Sequence, residues 1–267
     1  MENWGQRAAE RLAAIRERQP LVHNITNFVV MNTTANALLA CGASPVMAHA
    51  AEEVEQMVSF AGALVLNIGT LTPPWIESML LAAKKARALG VPAVLDPVGS
   101  GATELRTQAS RRIIGEAGVS LVRGNASEVL SLADRAGRTK GVDSAHSVDE
   151  AAQAGRELAL AIATPVAITG AVDLVTDGQR SLRVANGHAM LTRVTGTGCL
   201  ATAIIGAFLA VEPDPLAAAA CALAYVGLAG ERAAAISPGP GSLQVNLLDA
   251  LYNLTPEDLA QGARISA

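Results

Sequence analysis

Aromatic side chains are scarce in this sequence: two tryptophans, two tyrosines and three phenylalanines make up 3% of it, so a core matching its 51% hydrophobic content has to be assembled from Ala, Val, Leu and Ile. Cysteine is equally thin. Cys41, Cys199 and Cys221 form no CxxC or Cys/His ligand spacing, which argues against a disulfide framework and against structural zinc. No basic block stands out among twenty Lys and Arg against twenty-four Asp and Glu, and the net charge is −4, so nothing is set up to neutralise a phosphate backbone. Nucleic acid is not an expected partner. The apolar stretches Leu200–Val211 and Pro215–Ala229 fall short of the about 18 residues of a membrane span or are broken by Pro and Gly. The amino-terminal MENWGQRAAERLAAIRERQP is charged and lacks the apolar core of a secretory signal, so a cytoplasmic setting is expected. Neither a fixed-period repeat nor a low-complexity linker interrupts the chain, and residues 1–267 are expected to form a single domain.

What the sequence does contain is alternation. Short apolar runs bounded by turn residues recur at Leu21–His23, Ala63–Ile68, Ala93–Leu95, Ser120–Val122, Val166–Ile168 and Leu174–Thr176. Between them lie stretches with helical spacing, among them Pro74–Leu89, Glu104–Ile114, Ser127–Ala133 and Val148–Leu160. From Cys199 to Ala235 the pattern is all-helical and Ala-rich. Alternating strands and helices predict right-handed crossovers, hence an α/β fold with a mostly parallel sheet between two helical layers. Ligands of such sheets gather beyond the carboxyl ends of the strands, so the polar residues just after each apolar run carry the most information.

The turn Val194-Thr195-Gly196-Thr197-Gly198-Cys199 leads into an apolar helix. Its glycines let the backbone approach a ligand, and free N–H groups at the positive end of a helix favour an anion. Alone, the same pattern also serves simply to start a helix. Cys199 falls in the first turn, where the dipole lowers a thiol pKa; it reads either as a thiolate able to act as base or as a small core residue. Asp96 ends the run Pro92–Leu95 ahead of Pro97-Val98-Gly99-Ser100-Gly101, which suits either a metal-holding carboxylate or a turn residue bonded to its own loop. Asn125 and Glu128 follow the next run with the spacing of ordinary helix capping. Two separate strand-end carboxylates together with a glycine anion turn could hold Mg²⁺ bridged to nucleotide phosphates. Thr169-Gly170 and Asp177-Gly178 read as strand-end turns, the second as a hairpin. His23-Asn24-Ile25-Thr26-Asn27 is denser in polar groups than a turn needs and is assigned to the substrate side. His49 reads as either a ligand contact or a half-buried structural histidine, and His146 and His188 as surface groups.

Taken in order, HNITNFVVMN, ASPVMAHA, LNIGTL, LDPVGSGAT, RGNASEV and TGTGC resemble the hydroxyethylthiazole kinase family of the ribokinase-like superfamily, over nearly the whole chain. The resemblance implies a ribokinase-like three-layer α/β/α fold and transfer of the ATP γ-phosphoryl group to the hydroxyl of 5-(2-hydroxyethyl)-4-methylthiazole, a salvage step for thiamine. It further implies Met47 and Gly196 at the thiazole, with Asn24 on the same side, Arg123 and Thr169 at ATP, Asp96 and Glu128 near Mg²⁺, and a homotrimer. Catalysis would fall to Gly196, Gly198 and Cys199. Most superfamily members carry aspartate where Cys199 stands, and cysteine there is typical of the thiazole kinases. A thiol near its usual pKa of about 8.5 is a weak base at neutral pH, so Cys199 is expected to assist while the anion turn and Mg²⁺ carry more of the acceleration.

Three rivals use related residues. A kinase of another heteroaromatic alcohol such as hydroxymethylpyrimidine would share the phosphate machinery, but Cys199 and the HNITN cluster argue against it. A repair dehydratase on the same fold would carry aspartate at the anion turn. A non-catalytic nucleotide-binding protein would be expected to have lost Asp96, Glu128 or a turn glycine, and all are present.

Overall fold

The computed structural model describes residues 3–133 and 148–267; His146 lies outside them. The elements run α1 (Trp4–Arg18), β1 (Leu21–Ile25), α2 (Met31–Cys41), β2 (Ser44–Val46), α3 (Val54–Phe60), β3 (Ala63–Asn67), α4 (Pro73–Leu89), β4 (Ala93–Asp96) and α5 (Glu104–Arg112). They continue with β5 (Leu121–Asn125), α6 (Ala126–Ala133), α7 (Val148–Ile162), β6 (Val166–Thr169), β7 (Asp173–Thr176), β8 (Ser181–Val184), α8 (Thr197–Leu209), α9 (Pro215–Ala235), α10 (Pro240–Asn253), α11 (Pro256–Gly262) and β9 (Ile265–Ser266). All strands join one sheet in the order β2-β1-β3-β4-β5-β6-β7-β8-β9, parallel from β2 to β6 and antiparallel from β6 to β9.

This is the expected α/β/α architecture with a mostly parallel sheet. The apolar runs were legible as strands because the central ones are buried on both faces; all five residues of β3 are buried. Strands β2, β8 and β9 gave no such signal: β2 and β9 are edges of two or three residues, and β8 alternates exposed and buried positions. The Asp177-Gly178 turn forms the expected hairpin between β7 and β8, with Gly178 at φ +92°. The first helical segment after β4 ends earlier than its periodicity suggested, passing at Ile113 into a wide helical turn.

One helical layer, with α8 and α9 at its centre, packs on one face of the sheet against Val22, Val65, Val94 and Leu121. The other layer covers Leu64, Leu66, Leu95, Val122 and Ile168. By length and composition α9 could cross a membrane, since it runs to Ala235, beyond the stretch its glycines interrupt; 89% of its most apolar window is buried inside the fold, so it is a core helix here. Small Ala side chains let it lie close to α8 and α10.

Candidate active site

Side chains of a strand alternate between faces. Val22, Val65, Val94, Leu121, Ala167 and Val175 pack into the cluster built around α8 and α9. Two positions along from Val22, Val65, Val94, Leu121 and Ala167 stand Asn24, Asn67, Asp96, Arg123 and Thr169, and two before Val175 stands Asp173. These polar residues therefore face the same helices. The register aligns Asn67 with Asp96, Asn125 with Thr169 and Ile168 with Leu174, so six strands present polar groups toward α8 and α9.

Gly196 is the N-cap of α8, with φ +84°, and has no side chain to offer the first turn. A Cβ there would come within 2.4 Å of Val30 Cγ1, so the left-handed conformation and the close approach both require glycine. The N–H groups of Thr197, Gly198 and Cys199, the first turn of the helix, have no carbonyl within the helix to bond. Over Gly198 lies the guanidinium of Arg123, whose Nη1 would be 2.8 Å from a Cβ at that position. Arg123 donates to Thr169 Oγ1 and lies 3.6 Å from Asp96 Oδ2. Its Nε is buried with no hydrogen-bond partner. A buried donor left unpaired is costly, and beside a helix start an anion would satisfy it.

Behind the turn runs a chain of buried hydrogen bonds. Thr202 Oγ1 donates to Asp96 Oδ2 at 2.8 Å, Asn67 Nδ2 donates to the same oxygen at 2.9 Å, and Asn27 Nδ2 donates to Asn67 Oδ1 at 2.8 Å. Asn27 also reaches Cys199 Sγ at 3.6 Å. Asp96 Oδ1 is buried and unpartnered. Burial pushes the Asp96 carboxyl up to about 6, against the pull of Arg123. The Cys199 thiol, too, is pushed up, to about 11, first by burial and then by the Asp96 charge. The expected lowering by the helix dipole is overturned here: desolvation of the thiolate and a carboxylate nearby outweigh it.

Glu128 and Asn125 form the reciprocal capping arrangement their spacing indicated. Asn125 N donates to Glu128 Oε2 at 2.8 Å and Glu128 N donates to Asn125 Oδ1 at 2.9 Å. Glu128 Oε1 also accepts from Gly99 N at 2.9 Å, which ties the glycine turn after Asp96 to α6. Both its oxygens thus hold backbone, whereas Asp96 keeps one oxygen free. Among the described residues no group of three or more His, Cys, Asp and Glu side chains gathers to hold a metal. Mg²⁺ is commonly held by one or two carboxylates together with phosphates and water, and the buried, unpartnered Asp96 Oδ1 fits one such position.

Asn27, rather than Asn24, reaches the anion turn from the HNITN cluster. Asn24 lies one step deeper, with Nδ2 on Val22 O at 2.9 Å and Oδ1 unpartnered. His23, its pKa lowered by burial, hydrogen-bonds through Nε2 to Ala48 O at 2.7 Å and so anchors the segment holding Met47. Met47 is half-buried just past edge strand β2. His49 packs on Trp75 at 4.6 Å between ring centroids, and Phe28 on the same indole at 5.0 Å, which makes a small aromatic wall near Asn27. His188 is exposed as expected, yet it borders the cavity described next.

A cavity of about 500 Å³ extends from Arg123, Thr169 and Gly198 past Asp173 to Leu191, Leu223 and Val226. A larger cleft of about 720 Å³ opens at the amino ends of β4, β5 and β6, beside Arg87 and Pro213. None of the buried unpartnered polar atoms lines that larger cleft, so the chemistry belongs to the smaller cavity. Sequence reading passed over Asn67, Thr202 and Asp173. Asn67 ends its strand as Asp96 does and obeys the same rule, and Thr202 falls one helical turn after Gly198. Only the fold brings Asp173 to the cavity.

The profile of the hydroxyethylthiazole kinase family matches residues 12–257. The hydroxyethylthiazole kinase of Desulfotalea psychrophila is 60% identical over 265 residues, covering 99% of this chain and 97% of that protein. That of Moorella thermoacetica is 54% identical and covers 98% of each. Among solved structures, a hydroxyethylthiazole kinase protein from Pyrococcus horikoshii superposes with a TM-score of 0.90 at 48% identity, covering 97% of this chain and 98% of that one. An ADP complex of Bacillus subtilis pyridoxal kinase, 17% identical with a TM-score of 0.58 over 77% of this chain and 89% of its own, shares the fold.

Proposed function

The chain belongs to the hydroxyethylthiazole kinase family and is a kinase, and on that premise we propose that it phosphorylates the hydroxyl of 5-(2-hydroxyethyl)-4-methylthiazole with ATP. The observation that carries the reading is the buried, unpartnered Nε of Arg123 over Gly198, beside the uncapped start of α8. The alcohol oxygen bonds to the γ-phosphorus, the bond from that phosphorus to the bridging oxygen breaks, ADP leaves and the alcohol proton is released. Such transfers depend mainly on positioning and charge stabilisation.

In this proposal the N–H groups of Thr197, Gly198 and Cys199 hold the transferring phosphoryl oxygens, and Arg123 and Thr169 hold the nucleotide phosphates. Asp96 would hold Mg²⁺, with Glu128 fixing the loop beneath it. When bound, the ion would neutralise charge on the β- and γ-oxygens. Met47, Gly196 and the aromatic wall of Phe28, His49 and Trp75 form the thiazole side, where a flat apolar ring suits those surfaces. Asn27 places Cys199 beside the attacking alcohol, and the thiol, protonated at neutral pH, assists without acting as a strong base.

The finer parts of the reading have separate support. A homotrimer accords with Phe28 and Val29, which are 65% and 68% exposed beside the buried Asn27 and which a neighbouring subunit would cover. A single catalytic domain accords with the one continuous sheet. A cytoplasmic location accords with the need for ATP and with cysteines that form no disulfide among the described residues. The test is mass spectrometry of products after incubation with Mg·ATP and hydroxyethylthiazole, hydroxymethylpyrimidine, pyridoxal, ribose or hydrated NADH. Phosphorylated thiazole is the expected product; phosphate on another alcohol would overturn the substrate, and no ADP with any of them would overturn the kinase reading.

A further inference from the structure

We propose that Asp173 recognises the ribose of the nucleotide, its free carboxylate oxygen accepting a hydrogen bond from a sugar hydroxyl. This rests on the kinase reading and names a contact within the same site. Asp173 opens β7 with its side chain on the α8 and α9 face, lines the cavity with Arg123 and Thr169, and is 7% exposed. Its Oδ1 accepts from Gly170 N at 2.9 Å, whereas Oδ2 has no hydrogen-bond partner among the described residues and is not sealed from the cavity.

Arg123 apart, the other buried polar side chain of that cavity, Asn186, is committed. Asn186 donates to Gly262 O at 3.0 Å and accepts from Arg264 N at 2.7 Å, and Thr169 accepts from Arg123. A carboxylate held this close to the phosphate-binding arginine repels phosphate oxygens and attracts donors. With the γ-phosphate at the start of α8 and the remaining phosphates along Arg123 and Thr169, the next group into the cavity is the sugar. The base then lies against Leu191, Leu223 and Val226, which offer apolar surface and no side-chain acceptor. A ribose hydroxyl is the donor that falls opposite Asp173, and leaving a buried carboxylate oxygen without one is what rejects a deoxy sugar.

The experiment measures dissociation constants and KM for ATP, 2′-deoxy-ATP, 3′-deoxy-ATP and purine riboside triphosphate, with wild type and with Asp173→Asn. In the variant the side-chain oxygen still accepts from Gly170, and an amide donor replaces the free acceptor. Wild type is expected to bind one of the deoxy nucleotides about tenfold or more weaker than ATP, with kcat little changed. Asp173→Asn is expected to bind ATP about tenfold weaker and to lose that discrimination. A purely structural carboxylate would shift all four nucleotides together, and that outcome overturns the proposal. So does a variant that changes only the preference between ATP and purine riboside triphosphate, because the donor is then the base. Wild type that turns over ATP yet treats ribose and deoxyribose alike overturns this proposal alone; wild type that binds no nucleotide overturns the kinase reading as well.

Discussion

Replacing Cys199 by alanine tests how little chemistry its thiol performs. A thiol whose pKa stands at about 11 is ionised in roughly three molecules in ten thousand at pH 7.5. A group acting as general base typically contributes about 10²- to 10⁴-fold, and it does so best when its pKa lies near the working pH. Cys199 is far from that match, and the transition state of phosphoryl transfer does not need the alcohol deprotonated early. Asn27 keeps its stronger bond, to Asn67 Oδ1 at 2.8 Å, when the sulfur is gone. Cys199→Ala is therefore expected to retain kcat within about tenfold, a loss below about 1.4 kcal/mol of transition-state stabilisation. The assay is ADP release at saturating substrates from pH 6.5 to 10. If the thiolate were the working base, log kcat of wild type would climb with unit slope across that range, and alanine would abolish both the slope and more than about 99% of the rate. That pair of results would refute the reasoning. Cys199→Asp places a carboxylate where Asn27 can donate to it and is expected to keep activity; loss at every pH would show that the thiol is needed for more than assistance.

Gly198→Ala brings a Cβ to 2.8 Å from Arg123 Nη1 and 2.9 Å from Nη2, which displaces the guanidinium from the anion turn. Removal of one preorganised donor from such a site costs about 10²- to 10³-fold, so kcat/KM should fall by at least about 100-fold while the melting temperature changes little; a fall under threefold would remove Arg123 from the phosphate site. Asp173→Asn carries a stability signature as well. Burial raises the Asp173 carboxyl from 3.8 to about 6, so the folded wild type holds this proton more tightly than the unfolded chain. The contribution is present in full below pH 3.8 and is lost as pH rises through about 6. Relative to wild type, the asparagine variant should therefore gain on the order of 3 kcal/mol in unfolding free energy between those limits, measured by urea denaturation at a series of pH values. A difference independent of pH would mean that the carboxyl is not desolvated in the fold.

The sequence by itself determined the layers and most of the strand ends. Buried parallel strands are apolar through their central residues, and a run such as Ala63–Ile68 announces itself without reference to its neighbours. The glycines at 196 and 198, Asp96 at the end of its run and the Asn125–Glu128 cap were legible for the same reason, because each is a local constraint on backbone or helix start. The short edges β2 and β9 were not legible, since so few pairings leave little pattern.

Tertiary structure alone decided what those residues do to one another. Thr202 and Cys199 in α8, Asp96 at the end of β4, Asn67 at the end of β3 and Asn27 just after β1 join in one hydrogen-bonded chain only because those strands and α8 converge. The thiol pKa depends on that convergence: position on a helix predicts a lowered value, and the surrounding protein raises it. Glu128 and Asp96 look alike in sequence as carboxylates at strand ends; in the fold Glu128 spends both oxygens on backbone N–H groups and Asp96 keeps one free. Desolvation and pairing are properties of what surrounds a group, and residues distant in sequence supply those surroundings here.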